Sequence, residues 1–331
     1  MGRVEHETGS AAGVAVGEGG GDLMSDQADG LRQRVLARSG ATALADPPKM
    51  ASRPREAPPS ARSLLFTSGK GGVGTSNLAL NLAIALGQAG QRVVLVDADL
   101  GLANIDLLCG LTPPCDLGDV LMGDRPLAEA VVDGPGGIRI VPGAHGMRTL
   151  CEVLGDGPAR LVAELEALEA GADFLIVDAG SGLGPSVSTL AAAADQVTVV
   201  TTPEPTSVAD AHAAIGRFRR AAAGAPSIRA LVNQVSDAAE AADVLARLEA
   251  SSRQFLGVVV TPLGHVRLDP HVPRAVRARR PFLTEYPQAI ASRGVRRLAR
   301  ALIEERQPRP ARPGFFAALA ARWALGRVAR S

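Results

Sequence analysis

From residue 63 onward the chain alternates between two kinds of hydrophobic pattern. Short unbroken runs rich in Val, Ile and Leu lie at 64–68 (LLFTS), 92–97 (RVVLVD), 138–142 (IRIVP), 173–178 (DFLIVD), 196–201 (QVTVVT), 228–233 (IRALVN) and 255–260 (FLGVVV). Between most of them run longer stretches whose apolar residues return every three or four positions, including 76–89, 158–170, 206–222, 237–252 and 287–304. The first pattern predicts strands buried on both faces, because a half-exposed strand would alternate apolar and polar residues. The second predicts helices. Their alternation predicts an α/β domain over 63–304, a doubly wound, mainly parallel sheet with helices on both faces. Such folds bind ligands just beyond the carboxyl ends of their strands.

The two ends follow different rules. Residues 1–23 are rich in Gly and Ala, have no period, and read as disordered. Over 24–38 the helical period returns, with Met24, Ala28, Leu31 and Val35 on one face and Ser25 or Asp26 placed to cap its start. Residues 39–62 and 305–313 are Pro- and Arg-rich and read as linkers. The segment 314–331 sets Phe315, Phe316, Leu319 and Trp323 on one helical face, with Arg322 and Arg327 flanking it. That predicts an amphipathic helix whose arginine stems reach lipid phosphates while its apolar face enters an anionic membrane. The competing expectation is a helix docked on the protein's own surface.

Composition narrows the function classes. With 46% hydrophobic residues and a net charge of +1, the chain is globular and is not a neutraliser of nucleic acid, so no direct nucleic-acid partner is expected. The charge is uneven, with 15 arginines against 4 acids from Arg267 to the end, which points to an acidic partner or an anionic surface. Three cysteines, Cys109, Cys115 and Cys151, are too few for a disulfide framework and fit a reducing cytoplasm. No run of 18 apolar residues spans a membrane, and the start lacks the apolar core of a signal peptide. Lysine occurs only twice, at Lys49 and Lys70.

The chemistry gathers after the strands, as the fold class requires. The first strand runs into Gly69, Lys70, Gly71, Gly72, Val73, Gly74, Thr75, Ser76 and Asn77 and then a helix. Glycines let main-chain N–H groups curl around phosphates, and the helix N-terminus adds positive potential. Gly69, Gly74 and Ser76 fit G-x-x-x-x-G-K-[ST], with Ser76 placed to ligate Mg²⁺ and Thr75 standing at the lysine position. The same glycines also spell G-x-G-x-x-G, followed after the next strand by Asp97, as in a dinucleotide fold. Two acids on one loop, Asp97 and Asp99, would repel a pyrophosphate but suit a site that orders Mg²⁺ and an attacking water. Asp178 closes another apolar strand, the position of a magnesium-binding acid.

Taken in order, SGKGGVGTSN, VDADLGLANID, DFLIVDAGSGLG, TTPEPTSVADA and LVNQ resemble the signature set of the MinD/ParA ATPases with a deviant Walker A motif. The resemblance implies ATP and Mg²⁺ as ligands, with the nucleotide sandwiched in a homodimer. Lys70 would reach the phosphates across that dimer, Asp99 would position the attacking water, and Asp97 and Asp178 would serve Mg²⁺. Asn233 would read the adenine, with the loop after Val260 closing over the base. The stretch 26–32, DQADGLR, and the stretch 274–292 resemble the branch of that family that controls flagellar number (FlhG, FleN or YlxH). There the glutamine, here Gln27, stimulates an FlhF-like GTPase, and the branch works with flagellar switch or C-ring components at the inner face of the cell membrane. Thr75 departs from the family's lysine and puts hydrolysis in question. Three readings therefore stand: an ATP-switched regulator, a pseudo-ATPase scaffold with weak nucleotide binding, and an NAD-dependent oxidoreductase.

Overall fold

The computed structural model describes residues 61–99, 103–143, 159–182, 184–221, 226–305 and 313–328. The helix expected at 24–38, with Gln27, lies outside them. The described chain builds one eight-stranded sheet, ordered β3-β4-β2-β5-β1-β6-β7-β8. Its strands are β1 (Arg62–Ser68), β2 (Val93–Asp97), β3 (Val132–Asp133), β4 (Arg139–Val141), β5 (Phe174–Ser181), β6 (Gln196–Thr201), β7 (Ser227–Val235) and β8 (Val260–Arg267). All pairings are parallel except the short edge pair β3·β4.

The helices cover both faces. One layer contains α1 (Thr75–Gln88), α9 (His271–Arg277), α10 (Phe282–Glu285) and α11 (Ile290–Glu304). The other contains α5 (Ala159–Ala170), α6 (Pro185–Ala193), α7 (Pro205–Ala221), α8 (Ala238–Ser251) and α12 (Phe315–Val328). The short helices α2 (Ile105–Cys109), α3 (Leu117–Met122) and α4 (Leu127–Ala130) follow β2. Successive strand residues feed opposite layers. Leu64 and Phe66 pack with α1, while Leu65 packs with the α5 side. A strand buried in this way has no polar positions to alternate, which is why the runs read as continuous.

One strand lies elsewhere than its pattern predicted. The run 255–260 is not a strand: Ser252–Leu256 extends α8 as a π turn, and Gly257 ends it in the left-handed region at φ 62°. Phe255 and Val259 are exposed, so the apolar run does not enter the core as a unit. The strand begins at Val260, and its Pro262 and Gly264 obscured it. An edge strand tolerates a proline because half of its N–H groups face no partner. The register shift between Ala230 and Leu231, opposite Pro262 and Gly264, absorbs the irregularity. The loop that closes this end of the sheet therefore starts after Arg267, not after Val260.

The amphipathic segment also differs from expectation. It forms α12, but Phe315, Phe316 and Leu319 are buried in the domain's own core beside Leu161, Leu165, Leu190 and Phe218. Phe315 and Phe316 meet edge to face at 5.2 Å. Glu169, on α5, caps the helix by accepting from the main-chain N–H of Phe315 at 2.7 Å and of Phe316 at 3.2 Å. These three residues are thus withheld from lipid in this structure. The helical spacing identified a hydrophobic face without showing what covers it. Among the described residues no helix is long and apolar enough to cross a membrane.

Candidate functional site

β1 is central, flanked by β5 and β6, and its carboxyl end delivers the glycine loop to α1. Gly74 caps α1 at φ 91° with no side-chain cap, and the first turn holds no acid. The first N–H groups are therefore left facing outward with no anion already paired to them. Gly74 is required twice over: L side chains rarely adopt that φ, and a Cβ there would stand 2.6 Å from Asn233 Nδ2. Asn233, at the end of β7, donates from Nδ2 to the Val73 carbonyl at 2.8 Å and so braces the loop from behind.

The side chain at the lysine position faces inward. Thr75 is buried, and its hydroxyl donates to Ser68 Oγ at 3.0 Å, which in turn donates to the Lys70 carbonyl at 2.9 Å. Thr75 therefore tightens the loop and offers an incoming phosphate only its main chain. Lys70 turns toward the start of α7: its Nζ meets Glu204 at 2.9 Å, beside Thr206. The hydrogen bond to Glu204, with its charge, holds the ammonium pKa above the usual value.

The two strand-end acids are neighbours by register, Asp97 on β2 opposite Asp178 on β5. Asp97 organises its own loop. One oxygen accepts from the Asp99 N–H at 3.1 Å, the other from Asn104 and Ile105 at 2.9 and 3.1 Å. Asp178 is fully buried, and its Oδ1 accepts from the Gly180 N–H at 3.1 Å, while its Oδ2 lacks a hydrogen bond of normal geometry among the described residues. Burial, first, and the proximity of Asp178 push the Asp97 carboxyl well above the carboxylate range. Burial also raises Asp178, against the opposing pull of the Ser76 hydroxyl and the Gly180 amide. Asp99 lies over Gly180, which sits at φ 62° and has no room for a Cβ beneath that carboxylate.

The glycine loop, Ser76 and Asn77 on one side and Asp99 and Gly180 on another line a cavity of about 530 Å³, while Lys70, Asp97, Asp178 and Asn233 stand outside its lining. An orphaned buried carboxylate oxygen beside a serine hydroxyl, under an open helix N-terminus, is what a phosphate-bound divalent cation would satisfy. Ser76 and Asp178 fit Mg²⁺; Asp97, its oxygens already accepting three amides, fits a supporting position better than a direct ligand. The cavity has a third wall that sequence reasoning missed, made by Leu107 and Leu108 of α2 and by Val276 and Arg279 around the end of α9. No strand-end signal marks these residues, because they come from helices packed over the mouth. Cys109 and Cys115 are free, and no cluster of metal-ligating groups occurs among the described residues.

Comparison with known proteins gives this geometry a family. The profile of the CobQ/CobB/MinD/ParA nucleotide binding domain matches residues 64–282. The chain belongs to this family. As a MinD/ParA-type protein it is 38% identical over 250 residues to the antiactivator FleN of Pseudomonas aeruginosa, covering 76% of this chain and 88% of that one. It is 36% identical over 152 residues to the flagellum site-determining protein YlxH of Helicobacter pylori, covering 46% of this chain and 52% of that one. The MinD of Pyrococcus horikoshii, solved with Mg-ADP, matches with a TM-score of 0.59 at 24% identity, covering 74% of this chain and 96% of that one. The family match displaces the dinucleotide reading of the glycines, and with it the NAD-dependent oxidoreductase.

Proposed function

We propose that this protein is a nucleotide-switched regulator of flagellar number and placement, which binds ATP with Mg²⁺, dimerises on it, engages the membrane and stimulates an FlhF-like GTPase. The observation that supports nucleotide binding is the uncapped start of α1 opening on the cavity, with the buried Asp178 carboxylate beside the Ser76 that lines it. The likeness to FleN over three quarters of the chain supports the flagellar role. In this reading the loop amides hold the phosphates, and Ser76 and Asp178 hold Mg²⁺, which supplies charge neutralisation at the phosphates. Asp99 orients the attacking water. Lys70 leaves Glu204 for the phosphates of a second copy, and Asn233 and the loop after Arg267 border the base. Residues 315–323 detach from the core to bind anionic lipid, and Gln27 enters the GTPase centre of the partner. Flagellar switch or C-ring components are the further partners.

The inward-turned Thr75 favours one second reading, a scaffold that binds nucleotide without turning it over. Nucleotide released from the purified protein, and ATP turnover beside that of Thr75→Lys, separate the two. Released ATP or ADP with turnover below that of the lysine variant is expected for a slow switch; absent turnover in both variants favours the scaffold; absent nucleotide removes both readings. A peptide of residues 20–40 should accelerate GTP hydrolysis by the FlhF-like partner, and equal stimulation by its Gln27→Ala form would remove that role.

A further inference from the structure

Phosphate sites in this fold need a cation, and this chain has removed the usual one. Thr75 carries no charge and faces Ser68. Within one copy Lys70 pairs with Glu204 and stands outside the cavity lining, so it serves no phosphate of its own site. Among the described residues that line the cavity, Arg279 is the only base. It is exposed, and no acid or carbonyl engages its guanidinium among the described residues. Its neighbour Arg280 is already paired, with Glu285 at 3.1 Å.

The backbone at Arg279 is held in an uncommon state. Its φ is 53°, a region that L residues with long side chains rarely adopt. Two contacts hold it there. Its N–H donates to the Val276 carbonyl at 3.0 Å, continuing the last turn of α9. Its own carbonyl packs against Gly110, where a Cβ would come within 2.8 Å. A glycine at 279 would relieve this conformation, yet the position carries an arginine at the mouth of an anion cradle. Strain retained at a binding mouth points to a use for the side chain. A planar guanidinium can take two phosphate oxygens at once and stays charged at any working pH.

We propose that Arg279 supplies the phosphate-binding cation of this site, taking over the charge that Thr75 lacks. This rests on the nucleotide-binding reading above. The ligand chemistry is the polyphosphate of a nucleotide, not its base. Arg279 closes the cleft from the α9 side, opposite the glycine loop, whereas a lysine at position 75 would act from within the loop.

The test measures affinities of full-length protein for a fluorescent ADP with Mg²⁺, and for adenosine by competition. The proteins compared are wild type, R279A, R279K, R279G, T75K and the T75K/R279A pair. Losing a charge-assisted contact should weaken ADP binding roughly tenfold or more in R279A and R279G. Adenosine binding should be unchanged, R279K should recover part of the loss, and R279G should melt no lower than wild type without nucleotide. In the T75K background, R279A should cost no more than about threefold, since either cation suffices. Equal ADP affinity of wild type and R279A, or parallel losses for ADP and adenosine, would overturn the role of Arg279 while leaving nucleotide binding intact. A wild type that binds neither ligand would overturn the nucleotide reading itself, and this proposal with it.

Discussion

Glu169→Ala tests how firmly α12 is held. The carboxylate is buried and accepts the first two N–H groups of the helix, so its loss leaves two donors without partners at a buried end. Removing a cap costs about 0.5–2 kcal/mol, and a charged acceptor lies at the upper end. Against this stand Phe315, Phe316 and Leu319, whose burial is worth about 1.5–3 kcal/mol each before the cost of ordering the helix. A loss of about 2 kcal/mol would raise the detached population about thirtyfold. Trp323, the chain's single tryptophan, lies on α12, so its fluorescence reports on the helix. Hydrogen exchange over 315–321 should accelerate in the variant, and its binding to anionic vesicles should increase. The pH dependence has a definite sign. Burial, chiefly, holds the Glu169 pKa above its ordinary value in the docked state, against the pull of the two amides. Docking is therefore favoured below the ordinary carboxylate pKa and weakens as pH rises through the raised one. Protection over 315–321, after correction for the intrinsic pH dependence of amide exchange, should be greater at pH 5 than at pH 8, and Glu169→Gln should flatten that difference. Unchanged exchange and unchanged vesicle binding in Glu169→Ala would refute the reasoning.

Three further outcomes follow from the site. Asp178→Asn should raise the melting temperature of the nucleotide-free protein at pH 8, because it removes a buried charge, while abolishing the difference in ADP affinity made by adding EDTA; a lower melting temperature would contradict the burial argument. Gly74→Ala should lose roughly 1–3 kcal/mol of stability and most nucleotide affinity, read by denaturant melts and titration, since it meets both a left-handed φ and Asn233. Lys70→Ala should keep the fold yet lose ATP-dependent dimerisation by light scattering; dimers at wild-type level would reject the cross-dimer role of Lys70.

The sheet was legible because burial on both faces leaves strands without polar interruptions, as at 196–201. The glycine loop was legible because Gly74 answers to backbone conformation and close approach, which no other residue type satisfies. Strand β8 was obscured because an edge position accepts Pro262, a residue that local pattern counts against a strand. The fate of α12 was not legible: a stripe of Phe315, Phe316 and Leu319 is the same stripe whether lipid or α5 and α6 cover it. Nor was Arg279, which reaches the cavity only because α9 folds back over α2. Glu169 lay within a predicted helix with nothing to mark its partner, since the N–H groups it caps are more than a hundred residues away.

Glu305 sets the compass of the molecule. It is clamped by Arg62 at 3.0 Å and Arg229 at 2.7 Å, both near the amino ends of their strands. Nine residues separate it from Phe315, a tether that spans at most about 30 Å. A domain moored to a bilayer through α12 would hang from the end of the sheet where those strands begin. The glycine loop and its cleft, at the opposite end, would then open away from the lipid, leaving nucleotide exchange and the approach of a second copy unobstructed by the surface that holds the protein.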